Sequence, residues 1–469
     1  MEEKKQRAQW GSKIGFILAA AGSAVGLGNI WKFPGKAYAG GGGAFILIYI
    51  AIVVLIGVPV MLSELCIGRK AQANAVGAFQ RLDKRFTWVG YIAIIVPLII
   101  TSYYVHVGGW VLRYIVGYIT DVESIYADPL GYFYGLLGYS AETGETWFPT
   151  AAIVFAAIFM AANIFIIMKG VKGGIEKFNK IGMPALFVIL FVLLVRSVTL
   201  PGAGEGLKYM LTADWSKVTF STVLVALGQA FFSLSLGMGI MITYGSYLNE
   251  KEDLARSSLV ICGCDTLVAL IAGFIIVPAV FATLGEEGVG KGAGFAFTSL
   301  AGVFQAMPGG RFFGILFYLL LLFAALTSSI SLMEAVIAYL TEQFGWERKK
   351  TTLFTGIGMF LFGSLYTLSQ AAYNIKGIWF DFANGLSFPI LGDAIEYLHD
   401  CLLIPLCALG VSIFVGWVWK PKTAIEEVRR SEGVKFGWAG AFSVLVKYVA
   451  PIAILSIIAA SFVTGTILS

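Results

Sequence analysis

Residues 22–29 read Gly-Ser-Ala-Val-Gly-Leu-Gly-Asn, and residues 233–239 read Ser-Leu-Ser-Leu-Gly-Met-Gly. Each stretch lies inside a long apolar segment whose flanking residues predict a helix. Glycine costs about 1 kcal/mol relative to alanine in a helix interior. Glycines at this spacing therefore predict that both helices are interrupted, and the alternative is that small residues simply let neighbouring helices pack closely.

The surrounding chain is too apolar for a soluble protein. Of its 469 residues, 58% are hydrophobic and 13% are charged, and the mean hydropathy is +0.83. Soluble proteins have about 45–50% apolar and about 25% charged residues. Because about 20 apolar residues span a bilayer as a helix, the sequence predicts an all-α membrane protein with eleven spans, near residues 13–37, 43–67, 88–119, 149–168, 181–200, 218–248, 257–283, 312–341, 352–369, 396–419 and 441–467.

The two interrupted helices are spans 1 and 6, the first helices of two five-span halves. Glycine-interrupted helices at corresponding positions of two repeats are the best sequence pointer to a transporter binding site. In hydrocarbon, freed N–H and C=O groups find partners only beside a cavity or a bound ligand. Freed carbonyls suit Na⁺, and the positive N-terminal ends of half-helices suit a carboxylate.

Positive charge in the loops sets the orientation. Most Lys and Arg residues fall in loops on one side, whereas the opposite loops hold Lys208, Lys217, Lys291, Arg311 and Lys376. The positive-inside rule therefore predicts a multi-pass protein of the cell membrane with a cytoplasmic N-terminus and, after an odd number of spans, an external C-terminus. The excess of basic residues is therefore explained by membrane topology, and no nucleic-acid partner is expected.

Enzyme function finds no support in the motifs. The chain lacks HExxH, a Walker phosphate loop and GxSxG, and its only histidines are His106 and His399. His106 is interpreted as a hydrogen-bonded packing residue, with a proton-coupling role as the alternative. The five cysteines have no CxxC spacing and are expected to be free thiols.

Two polar features inside other spans favour cation binding. Span 8 contains a hydroxyl-rich stretch at residues 324–331, Ala-Ala-Leu-Thr-Ser-Ser-Ile-Ser, and oxygen ligands favour hard cations. The alternative is that these hydroxyls bond back to their own helix carbonyls. Asp265 lies near the middle of span 7, where a carboxylate is costly and indicates an ion site or a proton relay.

These motifs resemble the neurotransmitter:sodium symporter family, in particular its bacterial amino-acid transporters. The resemblance rests on the sequence from Gly22 to Pro34, on Gly-Gly-Gly-Gly-Ala-Phe at 40–45, on Gln-Ala-Phe-Phe-Ser-Leu-Ser-Leu-Gly at 229–237 and on Leu-Thr-Ser-Ser at 326–329. It extends from Trp10 to about the end of span 10.

The resemblance implies two inverted five-helix repeats with unwound spans 1 and 6, plus one extra helix. The corresponding segments are 1–12 for a cytoplasmic N-terminal gate, 13–200 for the first repeat, 201–419 for the second, and 420–469 for a cytoplasmic loop and the eleventh helix. Two Na⁺ sites are implied. The first would use Ala24, Asn29, Ser233 and Asp265, and the second would use Gly22, Val25, Ala324, Thr327 and Ser328.

The resemblance also implies an amino-acid substrate and its pocket. Substrate-binding residues carried over from the family are Ala24, Gly28, Ile100, Tyr104, Phe232, Ser233, Ser235, Met238, Ser328, Ser331 and Leu332. Met238 stands where several relatives have phenylalanine, and a flexible thioether makes room for large groups. The expectation is a sodium-coupled symporter for hydrophobic or aromatic L-amino acids. Asp265 replaces an asparagine of many relatives, and its charge predicts that chloride is not needed.

The gates differ from the family's pattern. Lys32 replaces an outer arginine, with Glu396 as its expected acidic partner and Asp393 and Asp400 as rivals. On the inner side, Arg7 and Glu342 are expected to form an ion pair, with Trp10 packed beside it and Tyr247 near the inner end of span 6. An acid of many relatives on span 3 is replaced by Gly108.

Two other functions remain open at this stage. A channel-like pore could be lined by Asp265 and the glycine breaks, although an apolar side-chain pocket argues against it. A sensor could bind an amino acid without moving it. The sequence does not decide between a monomer and an oligomer.

Overall fold

The computed structural model describes residues 8–140, 142–285, 288, 293–370, 391–431 and 433–464. Within these residues, nine helices are long and apolar enough to cross a membrane. Their bounds are Gly43–Ala71, Lys84–Thr120, Thr150–Met168, Val171–Val198, Leu254–Leu284, Gly310–Phe344, Arg348–Ser369, Ala394–Val418 and Ala439–Phe462. They are spans 2–5 and 7–11 in chain order.

Spans 1 and 6 are each built from two shorter helices. Span 1 consists of Lys13–Ala24 and Gly28–Ala39, which meet at a bend of 49°. Span 6 consists of Phe220–Ser233 and Ile240–Gly245. Counting the bent first pair as one span gives ten membrane-length helices in the described part of the chain. The shorter pair Phe220–Ser233 and Ile240–Gly245 is the expected broken span 6, and both interruptions lie where the glycines predict them.

Spans 1–5 and spans 6–10 are the two five-helix repeats of the fold. Because the chain crosses the bilayer five times between the starts of spans 1 and 6, the second repeat is inverted relative to the first. Each repeat opens with its broken helix, so the two breaks meet near the middle of the bundle. Span 11 packs against spans 6 and 10 as the extra helix.

Burial separates central from peripheral helices. In their most apolar windows, spans 3 and 8 are 67% and 72% buried within the protein, whereas spans 4 and 5 are each 33% buried. The central helices therefore carry the polar groups, which the outer helices shield from lipid. His106 on span 3 is fully buried, with Nε2 at 3.2 Å from the Phe360 carbonyl oxygen, as a packing histidine would be.

Candidate functional site

The break in span 1 exposes backbone groups to the interior of the bundle. The first helix ends at Ala24, and Val25 has extended backbone angles. The carbonyl oxygens of Gly22, Ser23 and Val25 then face span 8, where they lie 3.4, 3.1 and 3.4 Å from the Ser328 hydroxyl oxygen, which can donate to one of them at a time. These oxygens are among the groups that unwinding was expected to free.

The break in span 6 depends on residues that adopt positive φ. Ser235, Gly237 and Gly239 have φ values of 54°, 71° and 67°, in the left-handed region that glycine adopts without steric cost. A Cβ atom on Gly237 would also lie 2.5 Å from the Ile404 carbonyl oxygen. Glycine is therefore required at 237 both for its backbone angle and for its close approach to span 10.

Glu64 on span 2 holds the unwound part of span 6. Its side chain is fully buried, and Oε1 accepts a hydrogen bond of 2.8 Å from the Gly237 amide. Span 3 carries no acidic residue at 88–119, so this contact to span 6 is made from span 2. A carboxylate in an otherwise apolar span is itself a signal of function, and that signal could have identified Glu64.

At Gly108, spans 3 and 4 pack so closely that no larger side chain fits. A Cβ atom at this position would lie 2.6 Å from the ring of Phe159 on span 4. Span 4 therefore approaches span 3 too closely for an acidic side chain to fit without rearrangement.

A cavity with an empty volume of about 340 Å³ lies between the two breaks. It is lined by Ser23, Ala24, Gly26, Leu27, Gly28, Asn29, Ile100, Tyr104, Phe232, Ser233, Ser235, Met238, Ser328 and Leu332. All the residues expected to bind substrate line it except Ser331, whose hydroxyl donates instead to Ser23 Oγ at 2.7 Å. The lining residues Ser23, Gly26 and Leu27 were not assigned to the substrate by sequence reasoning, although they lie within the quoted stretch.

The cavity has one polar and one apolar end. At the polar end, the Leu27 amide donates to the Tyr104 hydroxyl oxygen at 3.2 Å, next to the start of the second half-helix at Gly28. Ile100, Met238 and Leu332 provide apolar walls. This arrangement suits a small molecule with a charged head and an apolar side chain.

Asn29, Ser233 and Asp265 form one polar cluster beside the cavity. Asn29 Nδ2 donates to Asp265 Oδ1 at 2.7 Å and to Ser233 Oγ at 2.9 Å. Ser233 Oγ lies 2.8 Å from both Asp265 carboxylate oxygens. Asn29 Oδ1 accepts a hydrogen bond from the Gly26 amide at 3.0 Å and keeps a second lone pair. Ala24, the fourth residue expected at this site, lines the neighbouring cavity.

A second group of oxygens lies between spans 1 and 8. Ser328 Oγ is 3.4 Å from Gly22 O and 3.4 Å from Val25 O. Thr327 Oγ1 is 3.1 Å from Ala324 O. The five residues named for this site thus lie together. Thr327 Oγ1 also lies 3.0 Å from the Phe323 carbonyl oxygen of its own helix, which is the contact expected if these hydroxyls only bond back to their helix.

The outer ion pair differs from the expected one. Lys32 Nζ lies 3.6 Å from Asp400 Oδ2 and 4.6 Å from the Phe232 ring centroid. Glu396 instead accepts a hydrogen bond of 3.1 Å from the Tyr366 hydroxyl. Lys32 is therefore paired with Asp400, one of the two rival partners, rather than with Glu396, and Asp400 lies in a π-helical turn at Leu398–Leu403.

A second contact joins spans 1 and 6 above the cavity. Lys36 Nζ donates to Gln229 Oε1 at 2.8 Å, and Gln229 Nε2 donates to the Gly28 carbonyl oxygen at 3.2 Å. Sequence reasoning assigned no role to either side chain. A lysine and a glutamine on two apolar half-helices are the signal that could have identified them.

At the opposite end of the bundle from Lys32, the N-terminal segment packs against the end of span 6. Trp10 Nε1 donates to the Tyr244 carbonyl oxygen at 3.1 Å, and its ring meets the Tyr247 ring edge to face. Glu342 accepts hydrogen bonds from the backbone and side chain of Asn74. Arg7, its expected partner, lies outside the described residues.

Tyr247 also belongs to an inner cluster that the sequence did not reveal. Its hydroxyl donates to Glu334 Oε1 at 2.8 Å, and Arg348 Nη2 lies 2.6 Å from Glu334 Oε2. Arg348 also donates to the Ile167 carbonyl oxygen at the end of span 4. The buried Glu334 and Arg348 therefore link the ends of spans 4, 6, 8 and 9 that lie near Trp10.

Comparisons with known proteins agree with this architecture. The model of the sodium:neurotransmitter symporter family matches residues 7–124 and 140–468. A sodium-dependent transporter of Bacillus subtilis is 35% identical over 457 residues, which is 97% of each chain. A sodium-dependent transporter of Haemophilus influenzae is 35% identical over 97% of this chain and 98% of its own length. The crystal structure of MhsT in complex with L-phenylalanine matches with a TM-score of 0.85 and 38% identity, covering 97% of this chain and all of that one.

Proposed function

The chain belongs to the sodium:neurotransmitter symporter family, and from this premise we propose that it imports hydrophobic or aromatic L-amino acids together with Na⁺. Membership makes it a sodium-dependent integral membrane transporter rather than an enzyme. Its transport is proposed to use two Na⁺ ions and to proceed by alternating access.

The observation that carries the proposal is the cavity between the two breaks. A polar end formed by Leu27, Gly28 and Tyr104 faces apolar walls that include Ile100 and Met238. A zwitterionic amino acid with an apolar side chain has the same division. The phenylalanine in the MhsT complex supports this substrate class.

We propose that the substrate carboxylate lies at the start of the second half of span 1. There it accepts hydrogen bonds from the amides near Gly28 and from the Tyr104 hydroxyl, where the helix dipole favours negative charge. The amino group lies towards the break of span 6, near Ser233 and Ser235. Lys32 with Asp400 and Trp10 with Tyr247 are then the contacts that close the two sides in turn.

Two Na⁺ ions are proposed to accompany the substrate. The first would use Ala24, Asn29, Ser233 and Asp265, next to the carboxylate. The second would be held by Gly22, Val25, Ala324, Thr327 and Ser328, and it would tie span 1 to span 8. Because both sites include residues of the span 1 break, Na⁺ binding would favour the arrangement of that break that also binds substrate, and this shared preference is the physical basis of coupling.

The positive-inside pattern supports a cytoplasmic N-terminus. The gate segment around Trp10 would then close the cytoplasmic side, and Lys32 with Asp400 would close the outer side. Uptake in this orientation moves substrate and Na⁺ inward.

The proposal is tested by uptake of labelled tryptophan, tyrosine and leucine into proteoliposomes. We expect accumulation when Na⁺ is higher outside, and none when Na⁺ is equal on both sides or replaced by K⁺. Binding without accumulation would identify a sensor. Flux that follows the substrate gradient at the same rate without Na⁺ would identify a pore.

Replacing Met238 by Phe is expected to weaken tryptophan binding more than leucine binding. Met238 lies between Gly237 and Gly239 in the unwound segment and lines the cavity, so both its rotamers and its backbone can adjust to large side chains. A rigid ring removes that adjustment, and steric misfit in a packed apolar site costs about 1–3 kcal/mol. The measurement is competitive binding of tryptophan, tyrosine and leucine at saturating Na⁺.

The matched control is Met241→Phe. Met241 is fully buried on the inner half of span 6 and does not line the cavity, so overpacking there should affect all three amino acids alike. Equal changes for the three amino acids in Met238→Phe would show that this side chain does not set specificity.

A further inference from the structure

Span 5 carries a buried amide to which the proposed function assigns no role. Asn179, on the helix Lys177–Val198, is fully buried. Its Nδ2 donates to the Ile175 carbonyl oxygen of its own helix at 2.9 Å. Its Oδ1 is buried as well and accepts no hydrogen bond from any described residue. Because burying a polar atom without a partner is costly, this oxygen indicates a partner that the described residues do not supply.

Asn163 on span 4 shows how the same side chain behaves when it only packs. It is also fully buried, and its Nδ2 donates to the Phe159 carbonyl oxygen of its own helix at 2.9 Å. Its Oδ1, however, accepts a hydrogen bond of 2.6 Å from the Ser329 hydroxyl. The unpartnered oxygen of Asn179 is therefore not a general consequence of placing asparagine inside these spans.

The unpartnered oxygen lies beside the second proposed Na⁺ site. A Cβ atom on Gly22 would lie 2.3 Å from Asn179 Oδ1 and 3.2 Å from Thr327 Cβ. Gly22 and Thr327 are both residues of that site, to which they would contribute a carbonyl and a hydroxyl oxygen. Asn179 Oδ1 thus fills the space beside Gly22, at the edge of the oxygen group between spans 1 and 8.

A second contact fixes this face of span 5 against the first half of span 1. Glu176 Oε1 accepts a hydrogen bond of 2.8 Å from the Ser12 hydroxyl, and Oε2 accepts one of 2.6 Å from the Gly11 amide. Glu176 and Asn179 are three residues apart and therefore share one face of the helix. The packing of the two helices, and not only the rotamer of Asn179, sets the position of its oxygen.

We propose that Asn179 is a further ligand of the Na⁺ ion between spans 1 and 8 and binds it through Oδ1. This inference rests on the proposed function, because it adds a residue to the second Na⁺ site. An amide oxygen is a hard ligand, as carbonyl and hydroxyl oxygens are, and ligation gives the buried oxygen its missing partner. Na⁺ would then hold the first half of span 1 against span 5 as well as span 8, and its release would loosen both contacts.

The test is direct binding of radioactive Na⁺ to the purified full-length protein without any amino acid, so that the result does not depend on the identity of the substrate. Asn179→Leu keeps the approximate shape and removes the oxygen. It should raise the Na⁺ concentration for half-saturation of one site roughly 10–100-fold. Asn179→Asp keeps an oxygen in this position and should bind Na⁺ at least as tightly as wild type. If Asn179 only packed, a buried carboxylate would be at least as damaging as leucine, so the two variants separate ligation from packing.

The matched control is Asn163→Leu, which removes the buried amide that already has a partner. Ser329 keeps its hydrogen bond of 3.2 Å to the Leu326 carbonyl oxygen, so no donor is left unpaired, and Na⁺ binding should equal that of wild type. Thermal unfolding checks that each variant is folded.

Na⁺ binding that is unchanged in Asn179→Leu, or weakened as much in Asn179→Asp or Asn163→Leu, would overturn the inference. The double variant Thr327→Val and Ser328→Ala separates this failure from failure of the proposed function. If the double variant weakens Na⁺ binding and Asn179→Leu does not, only the role of Asn179 is wrong. If neither weakens it, the second Na⁺ site itself is wrong.

Discussion

The double variant Thr327→Val and Ser328→Ala is expected to lose Na⁺-dependent substrate binding while remaining folded. The two substitutions remove two hydroxyl oxygens from the group between spans 1 and 8 and nearly preserve volume. Ser328 Oγ lies within 3.4 Å of Gly22 O and Val25 O, so it is the atom that joins the two helices at this point. Hydrogen bonds to charged groups are worth about 1.5–3 kcal/mol each, and losing two comparable ligands should raise the Na⁺ concentration for half-maximal binding roughly 10²–10⁴-fold.

The measurement is binding of labelled substrate to purified protein across a Na⁺ titration. Ser329→Ala is the matched control, because Ser329 is buried on the same helix but its hydroxyl donates to Asn163 Oδ1 on span 4 at 2.6 Å. Folding is checked by thermal unfolding in detergent. An unchanged Na⁺ dependence in the double variant would mean that these hydroxyls only pack the helix.

The variant Asp265→Asn is expected to make transport depend on chloride. The carboxylate is fully buried, and its hydrogen-bond donors Asn29, Ser233 and Tyr49 are all neutral. Once ionised beside bound Na⁺, it would supply a negative charge that offsets two Na⁺ ions bound with a zwitterionic substrate. Two unit charges 4 Å apart interact by about 4 kcal/mol at an effective dielectric constant of 20. Without chloride, Na⁺ affinity should fall by up to roughly 1,000-fold in the variant.

Uptake in chloride is compared with uptake in gluconate for wild type and Asp265→Asn. Wild type should transport equally in both, whereas the variant should transport only in chloride and with a lower apparent affinity for Na⁺. Glu205→Gln serves as control, since it removes an exposed carboxylate outside the spans. Wild-type uptake that stops when chloride is removed would refute the charge argument.

The acidic partner of Lys32 could not be identified from the sequence alone. Asp393, Glu396 and Asp400 lie near the start of span 10, and the sequence offers each as a partner for Lys32. Glu396 and Asp400 are four residues apart and would share one face of an α-helix. The π-helical turn at Leu398–Leu403 changes their relative direction, and no residue pattern in that segment predicted it.

Glu64 and Gly108 show a second limit. The sequence established that a carboxylate was missing from span 3, but not that Glu64 on span 2 contacts the Gly237 amide. That contact depends on how closely spans 2 and 6 approach. In the same way, the ring of Phe159 makes Gly108 a packing residue, and the sequence of span 3 does not show which helix faces it.

The sequence by itself determined the number of spans and the two helix breaks. It could do so because both follow from local physics: apolar length against bilayer thickness, and the cost of glycine within a helix. It also determined which residue types meet at the cavity, since breaks, hydroxyls and a buried carboxylate are costly in lipid unless they face one another.

Only the tertiary structure decided how side chains pair around the cavity and at the Lys32 and Trp10 contacts on either side of it. It turned Asp400 rather than Glu396 towards Lys32, placed Ser328 on the span 1 carbonyls, and turned Ser331 towards Ser23. These outcomes depend on helix rotation and on separations of a few ångströms between elements distant in sequence, which packing of the whole bundle sets and local residue patterns do not encode.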